Sequence, residues 1–484
     1  MNRSSLLLRG IVAILLLIGF YVLALGIAAA LLWLVYAQVF LLGHVSIKLA
    51  LTCVVLAGMI VWSVLPRPDR FEPPGPELRE AEYPELFELI RKVAQATGQA
   101  MPREVYLVAD VNAFVAQRGG VMGLFSRRVM GLGLPLLTLL TVSQLEAVLA
   151  HEFGHYHGGD TKLGPWIYKT RSAIGRTIVS LAESGSTVVR KPFEWYGNMF
   201  LRVTHAISRS QELAADALAA RVVGPTHLAE GLKAVHGGAA AFNAFLNAEY
   251  LPVVEAGYRA PLAEGFRDFV GSKRISALVG ELVMKELEEA SDDAFDTHPP
   301  LAQRVASIQQ LGAKDTKADM RSALELLGKK HLESRLVTDE VATLKTLPWS
   351  KVAEQVLLPR WKKQWQAVVS ELGAVTLSEL PRTPAKCGKL AARLLKQDLS
   401  EVPDDAAHIG AEFVAAALAY RLVDQGWRVR NRVGRPTVLS CGDLRLSPFK
   451  DFHAAASGEL KPPKLEQRLI DAGVAELRLS DPPD

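Results

Sequence analysis

The run His151-Glu-Phe-Gly-His155 sets two imidazoles four residues apart, with a carboxylate directly after the first. On a helix, residues separated by four lie on one face, so both rings can offer a nitrogen to the same ion. Glu152 then projects beside that ion without having to bind it, which suits it to take a proton from a metal-activated water. This is the chemistry of metal-assisted hydrolysis, and zinc is the ion that such donors hold in open three-ligand sites. The surrounding segment reads as a helix. Ser143 and Glu146 have capping-box spacing at its start, and Gly158-Gly159 marks its end.

An open zinc site needs a third protein ligand. The extension that would supply a third histidine fails, because Thr161 occupies the required place. A carboxylate from elsewhere is therefore expected, and the best source is the stretch from Ser208 to Asp216, the start of a helix closed by Gly224-Pro225. Glu212 and Asp216 share one face there, among Leu213, Ala214, Ala215 and Ala217. Glu212 is assigned as the third ligand, and Asp216 as the acceptor that fixes the tautomer of a ligating histidine. The competing reading is a pair of solvated charges on an amphipathic helix.

Other residues of the cleft follow from similar arguments. His298, ahead of Pro299-Pro300 and a helix running to Gly312, is either a donor to the developing oxyanion or a helix-start residue that only packs. The apolar, glycine-containing run from Arg128 to Leu134 suits a strand at a sheet edge. There Met130, Gly131, Leu132 and Gly133 would hold an extended substrate by backbone pairing. Asn112 is a contact in the same cleft or a turn former. His157 points away from the metal face, while His205, Arg209 and Arg360-Trp-Lys-Lys363 default to solvated or packing roles.

Four motifs in order carry a resemblance: Asn112-Ala-Phe with the glycine-rich strand, Ala150-His-Glu-Phe-Gly-His155, Ser208-Arg-x-x-Glu-x-x-Ala-Asp216, and Thr297-His-Pro-Pro-x-x-x-Arg304. Over about residues 80–312 the chain resembles the HtpX and CaaX-prenyl-endoprotease family of membrane zinc metallopeptidases. The resemblance implies one zinc ion on His151, His155 and Glu212, Glu152 as base, and His298 and Arg304 as accessory residues near the reacting carbonyl. It also implies a polypeptide substrate, membrane-associated or unfolded, and a possible part in protein quality control. Family members of the HtpX type carry two further membrane spans before the third ligand; the corresponding stretch here holds Lys169, Arg171, Arg176, Glu183, Arg190, Lys191, Glu194 and Arg202 and reads as soluble or surface-lying helices.

The elements that must position these residues sit behind a membrane anchor. Ile11 to Tyr36 is uncharged and long enough to cross a hydrocarbon core of about 30 Å, and Leu49 to Leu65 forms a shorter second span. A signal peptide would have an apolar region of only about 7–15 residues. Arg3, Arg9, Arg67 and Arg70 flank the hairpin on the side of both ends, whereas the connecting loop offers only His44 and, at its edge, Lys48. Both ends are therefore expected in the cytoplasm, as for a bacterial inner-membrane protein. Cys53, Cys387 and Cys441 form neither a disulfide framework nor a metal motif.

The expected architecture is mainly α with a small β-sheet: a membrane hairpin in residues 1–66, a zincin-like α+β peptidase domain in 67–312 and an α+β region in 313–484. A β-meander is expected between Trp427 and Pro448. With 55 Lys and Arg against 51 Asp and Glu, the charge balance gives no reason for a nucleic-acid partner. A function of a different class remains open, a catalytically spent, membrane-tethered scaffold acting through its C-terminal region.

Overall fold

The computed structural model describes residues 3–65, 71–119, 126–156, 164–288, 298–328, 335–337, 339–374, 376–380, 382–396 and 405–480. Residues 66–70, with Arg67 and Arg70, and His157, Gly158, Gly159, Thr161 and Thr297 lie outside the described residues. The chain divides into two compact units, one of Met1–Ala239 with Gly280–Leu336 and one of Ala240–Val279 with Val337–Asp484. The second unit thus takes in residues 240–279, which the sequence reading placed with the peptidase domain.

In chain order the first unit contains helices α1 (Arg3–Phe40) and α2 (Ile47–Val64), strand β1 (Glu77–Leu78), α3 (Pro84–Ala96), and strands β2 (Glu104–Val108), β3 (Ala113–Arg118) and β4 (Arg127–Gly133). Then come α4 (Leu134–Leu139), α5 (Val142–Gly154), α6 (Gly164–Glu183), α7 (Thr187–Val222) and α8 (Pro225–Phe245), whose residues from Ala240 on fall in the second unit. Residues Ile11–Phe40 and Ile47–Val64 are long and apolar enough to cross a membrane, and Leu15, Val22, Trp33, Leu51 and Trp62 are exposed along them. Large apolar side chains turned outward over two whole helices are stable only in an apolar surrounding, so α1 and α2 form a membrane hairpin. Gly43, at φ +62°, provides the left-handed residue of its turn, and the Gln38 side-chain oxygen accepts the Ser46 N–H at 3.1 Å.

Helices α6 and α7 correct the expectation of surface-lying segments. They pack on the hairpin: Ala173, Ile174, Phe193, Tyr196 and Phe200 form one buried cluster with Phe20, Ala24, Leu56 and Ile60. The buried positions recur at helical spacing on one stripe of each helix, while Arg171, Glu183, Lys191 and Arg202 are exposed on other faces. Polar contacts join the pairs as well. Ser63 and Thr177 hydroxyls lie 2.7 Å apart, and Arg176 donates to the Ser63 carbonyl at 3.0 and 3.2 Å.

The four-stranded sheet has the order β1-β2-β4-β3, with β2 and β4 parallel and β3 antiparallel to β4. This corrects the edge assignment made for Met130, Gly131, Leu132 and Gly133. Their strand is hydrogen-bonded on both sides and buried, and the sheet edge next to it belongs to β3. Burial on both faces explains the uninterrupted apolar run that suggested an edge.

The second unit continues through α9 (Leu251–Glu255), β5 (Tyr258–Arg259), α10 (Leu262–Val270) and the start of α11 (Lys273–Glu288); α11 from Gly280 on and α12 (Leu301–Gln309) belong to the first unit. It then holds α13 (Asp339–Ala342), β6 (Lys345–Thr346), α14 (Leu358–Leu372), α15 (Pro384–Leu395), α16 (Ala406–Asp424), strands β7 (Arg428–Arg430), β8 (Val438–Cys441) and β9 (Leu444–Leu446), α17 (Pro448–Ala456) and α18 (Pro462–Asp471). The last three strands form the expected antiparallel meander. Helix α16 is apolar enough to cross a membrane, but Ala411, Val414, Leu418 and Leu422 are buried in this unit's core, where it packs on α14, α15 and α17.

Candidate metal centre

Helix α5 starts one residue pair earlier than its sequence suggested. Thr141 is the cap: its hydroxyl accepts the Gln144 N–H at 3.3 Å, and the Gln144 side chain accepts the Thr141 N–H at 2.9 Å. Two overlapping S/T-x-x-E/Q pairs occur here, and spacing alone does not choose between them. Ser143 instead accepts the Asp319 N–H at 2.7 Å, and Glu146 pairs with Lys92 at 2.7 Å.

The helix brings His151 and His155 to one face, ring centroids 4.8 Å apart. Helix α7 lies against it and presents Glu212. One ligand atom from each of His151, His155 and Glu212 falls within 4.8 Å of the others. His151 Nε2 is 3.4 Å from one Glu212 oxygen, and His155 Nε2 is 3.6 Å from the other. Two donors of a tetrahedral ion with bonds of ~2.0–2.1 Å stand roughly 3.3–3.4 Å apart, so the donor set fits such an ion.

Asp216, one turn further along α7, stands 2.9 Å from His151 Nδ1, which leaves Nε2 for the metal side. Arg304 on α12 grips the same carboxylate with two bonds, Nε at 2.8 Å and an η nitrogen at 2.7 Å; that η nitrogen is also 3.5 Å from Glu212. His298 Nδ1 lies 3.1 Å from Glu212, and its side chain is more than half exposed. Glu152 sits between the two histidines on α5, partly accessible.

These contacts set the proton affinities. Burial opposes the charge on His151, but hydrogen bonds to Asp216 and Glu212 outweigh it and raise the pKa to about 9. Burial, reinforced by the neighbouring His151, lowers His155 to about 4. Glu212 is buried, which favours the neutral acid, yet hydrogen bonds from His151 and His298 hold it well below the usual carboxylate range. For Asp216, the bonds from Arg304 and His151 likewise overcome burial. Glu152 moves the other way, pushed up to about 7 by burial. The proton affinities of two carboxylates on packed helices are thus driven apart, Glu212 held toward the ionised form and Glu152 placed to take and give a proton near neutral pH.

One close approach lets the two helices meet. A Cβ on Gly154 would stand 2.9 Å from the Ala215 Cα and 3.0 Å from its Cβ, between Glu212 and Asp216 in the sequence. Gly154→Val should therefore pry α5 from α7 and cost about 1–3 kcal/mol through overpacking. Metal affinity is expected to fall by about tenfold or more. Competition with a zinc-binding dye checks this, and an unchanged dissociation constant would show that the contact is not needed.

The strand beside the site is β3. Gly133 N–H bonds to the Asn112 carbonyl at 2.8 Å, so by antiparallel alternation the backbone groups of Ala113, Val115 and Gln117 point away from β4, toward the open edge. Exposed Asn112 therefore anchors the start of this strand through its carbonyl. Tyr156, which sequence reasoning missed, donates its hydroxyl to the Val115 carbonyl at 2.8 Å and ties the end of α5 to that edge. Its position just past His155 was the available signal.

A helix with two ligand-bearing histidines, a crossing helix with a carboxylate, and a sheet edge alongside define a metallopeptidase. Residues 80–311, just under half of the chain, match Peptidase family M48. A protease HtpX homolog of Thermodesulfovibrio yellowstonii is 26% identical over 255 residues, 49% of this chain and 79% of the relative. Protease HtpX homolog 1 of Sulfurisphaera tokodaii is 36% identical over 98 residues, and that of Saccharolobus solfataricus 34% over 107. These two matches cover 20% and 22% of this chain and only 30% and 33% of the relatives' own lengths. No solved structure matches the chain.

Proposed function

We propose that this protein is a zinc-dependent endopeptidase that cleaves membrane-associated or unfolded polypeptides. The observation that carries the reading is the convergence of His151, His155 and Glu212 with Glu152 beside them. Two imidazoles and one carboxylate are a donor set that suits zinc with a position left open. A zinc ion held there supplies Lewis acidity toward a peptide carbonyl. Glu152 accepts the proton of the attacking water and returns it to the leaving amine. His298, exposed at the rim next to Glu212, is placed to donate to the developing oxyanion, while Arg304 and Asp216 hold His151 in one tautomer.

An extended substrate would pair with the outer edge of β3, which selects for unfolded backbone over a particular side chain. The membrane-proximal part of the proposal rests on α7. This single helix packs on the hairpin at Tyr196 and carries Glu212 sixteen residues later, about 24 Å at 1.5 Å per residue. The arginines flanking the hairpin support a cytoplasmic peptidase unit at a bacterial inner membrane.

Treatment of the purified protein with a chelator is expected to abolish casein cleavage, and stoichiometric zinc to restore it where magnesium does not. Full cleavage by protein shown by elemental analysis to be free of metal would overturn the zinc mechanism.

A further inference from the structure

The second unit contains a cavity of about 180 Å³ that metal chemistry leaves unexplained. Two π-helical turns border it, Leu246–Tyr250 and Ala353–Leu357. Such turns are rare and recur at functional sites, because the inserted residue re-aims the side chains around it. Trp361 and Phe449, ring centroids 5.2 Å apart, give the cavity an aromatic wall.

Charges of both signs line the same space without pairing across it. Glu249, on the first π turn, accepts the Gly434 N–H at 2.9 Å; burial raises its pKa, and no cation offsets that effect. Glu412 is held by His453 Nε2 at 2.9 Å. Arg360 and Arg435 are exposed, and their side chains make no ion pair or hydrogen bond among the described residues. Arg360 opens the basic run that sequence reading treated as solvated. A half-buried carboxylate with no cation and two guanidinium groups with no anion among the described residues are complementary to one molecule that carries both.

We propose that this cavity binds a small zwitterion bearing a free ammonium and a free carboxylate, an amino acid or a dipeptide. The ammonium faces Glu249 and Glu412, the carboxylate faces Arg360 and Arg435, and an apolar side chain lies over Trp361 and Phe449. The volume is below the ~300–1,000 Å³ of drug-sized sites, which restricts the ligand to one or two residues. Glu249 falls within the M48 match, whereas Arg360, Trp361, Glu412, Arg435 and Phe449 lie beyond it, and the site does not depend on peptidase chemistry.

Calorimetry on the full-length protein in detergent tests this with L-leucine, glycyl-leucine, N-acetyl-leucine and leucinamide. Saturable binding is expected for leucine, glycyl-leucine or both, which tells the free amino acid from the dipeptide, and blocking either terminus should weaken it by about tenfold or more. Arg435→Ala and Arg360→Ala remove exposed side chains without partners and should fold normally, and Glu249→Gln keeps an acceptor for Gly434. Each should weaken binding by a similar factor, and chelator-treated protein should bind as before. The proposal fails if the unblocked compounds show no saturable binding in the millimolar range, if blocked and unblocked compounds bind alike, if the three variants bind as the parent does, or if chelation removes binding.

Discussion

Glu152→Gln is expected to lower kcat/KM for casein by about 10²–10⁴-fold while the zinc content stays at that of the parent. The substitution preserves size and one hydrogen-bonding oxygen but removes the ability to take a proton. Glu152 contributes no atom to the three-donor cluster, so the ion has no reason to leave. Its environment favours the role, since burial sets its pKa to about 7, close to the pH at which a general base works best. Side-by-side kinetics and elemental analysis of parent and variant give the answer. Equal cleavage by both proteins would remove Glu152 from the mechanism, and loss of zinc together with activity would assign it a structural role instead. A spent scaffold would show no cleavage in the parent to begin with.

The second large effect concerns stability. Arg304→Met is expected to destabilise the first unit by about 3–5 kcal/mol, because it leaves the Asp216 carboxylate buried without its doubly bonded partner. At ~2–4 °C per kcal/mol for a unit of this size, the melting temperature should drop by roughly 10 °C. Arg304→Lys keeps the charge but not the fork, and should fall between the two. The pH dependence has a definite sign. Asp216 has a depressed pKa in the folded protein, so its pairing contributes fully above the ordinary carboxylate range and is lost as pH falls through its folded value. The gap between parent and variant should therefore be largest near neutral pH and shrink on acidification. Thermal melts at several pH values check this; a variant that melts with the parent at neutral pH would show that the Arg304–Asp216 contact contributes nothing net.

Much of the architecture could be read before any coordinates. Uncharged runs of sufficient length marked α1 and α2. The alternation around Gly434 and Gly442 marked the meander. These are properties of neighbours in the chain, and their physics is local. The readings that failed needed long-range information. For α6 and α7 the charges were visible, but the stripe that packs on Phe20 and Ile60 only has meaning once the hairpin is alongside. For the run through Met130 to Gly133, the same residues suit an edge or a doubly paired strand, and the partner strands decide.

The amino-acid order alone determined which groups share a helical face: two imidazoles with Glu152 on one segment, and Glu212 with Asp216 on another. A periodicity of 3.6 residues suffices for that. Tertiary structure decided what no spacing encodes, namely that the Gly154–Ala215 contact lets the two segments close, that Arg304 reaches Asp216, and that Tyr156 rests on β3. It also gathered Glu249, Arg360, Glu412 and Arg435 around one cavity from segments far apart in the chain. Such contacts depend on how elements pack in space, and that packing is set by the whole core at once, not by any stretch within it.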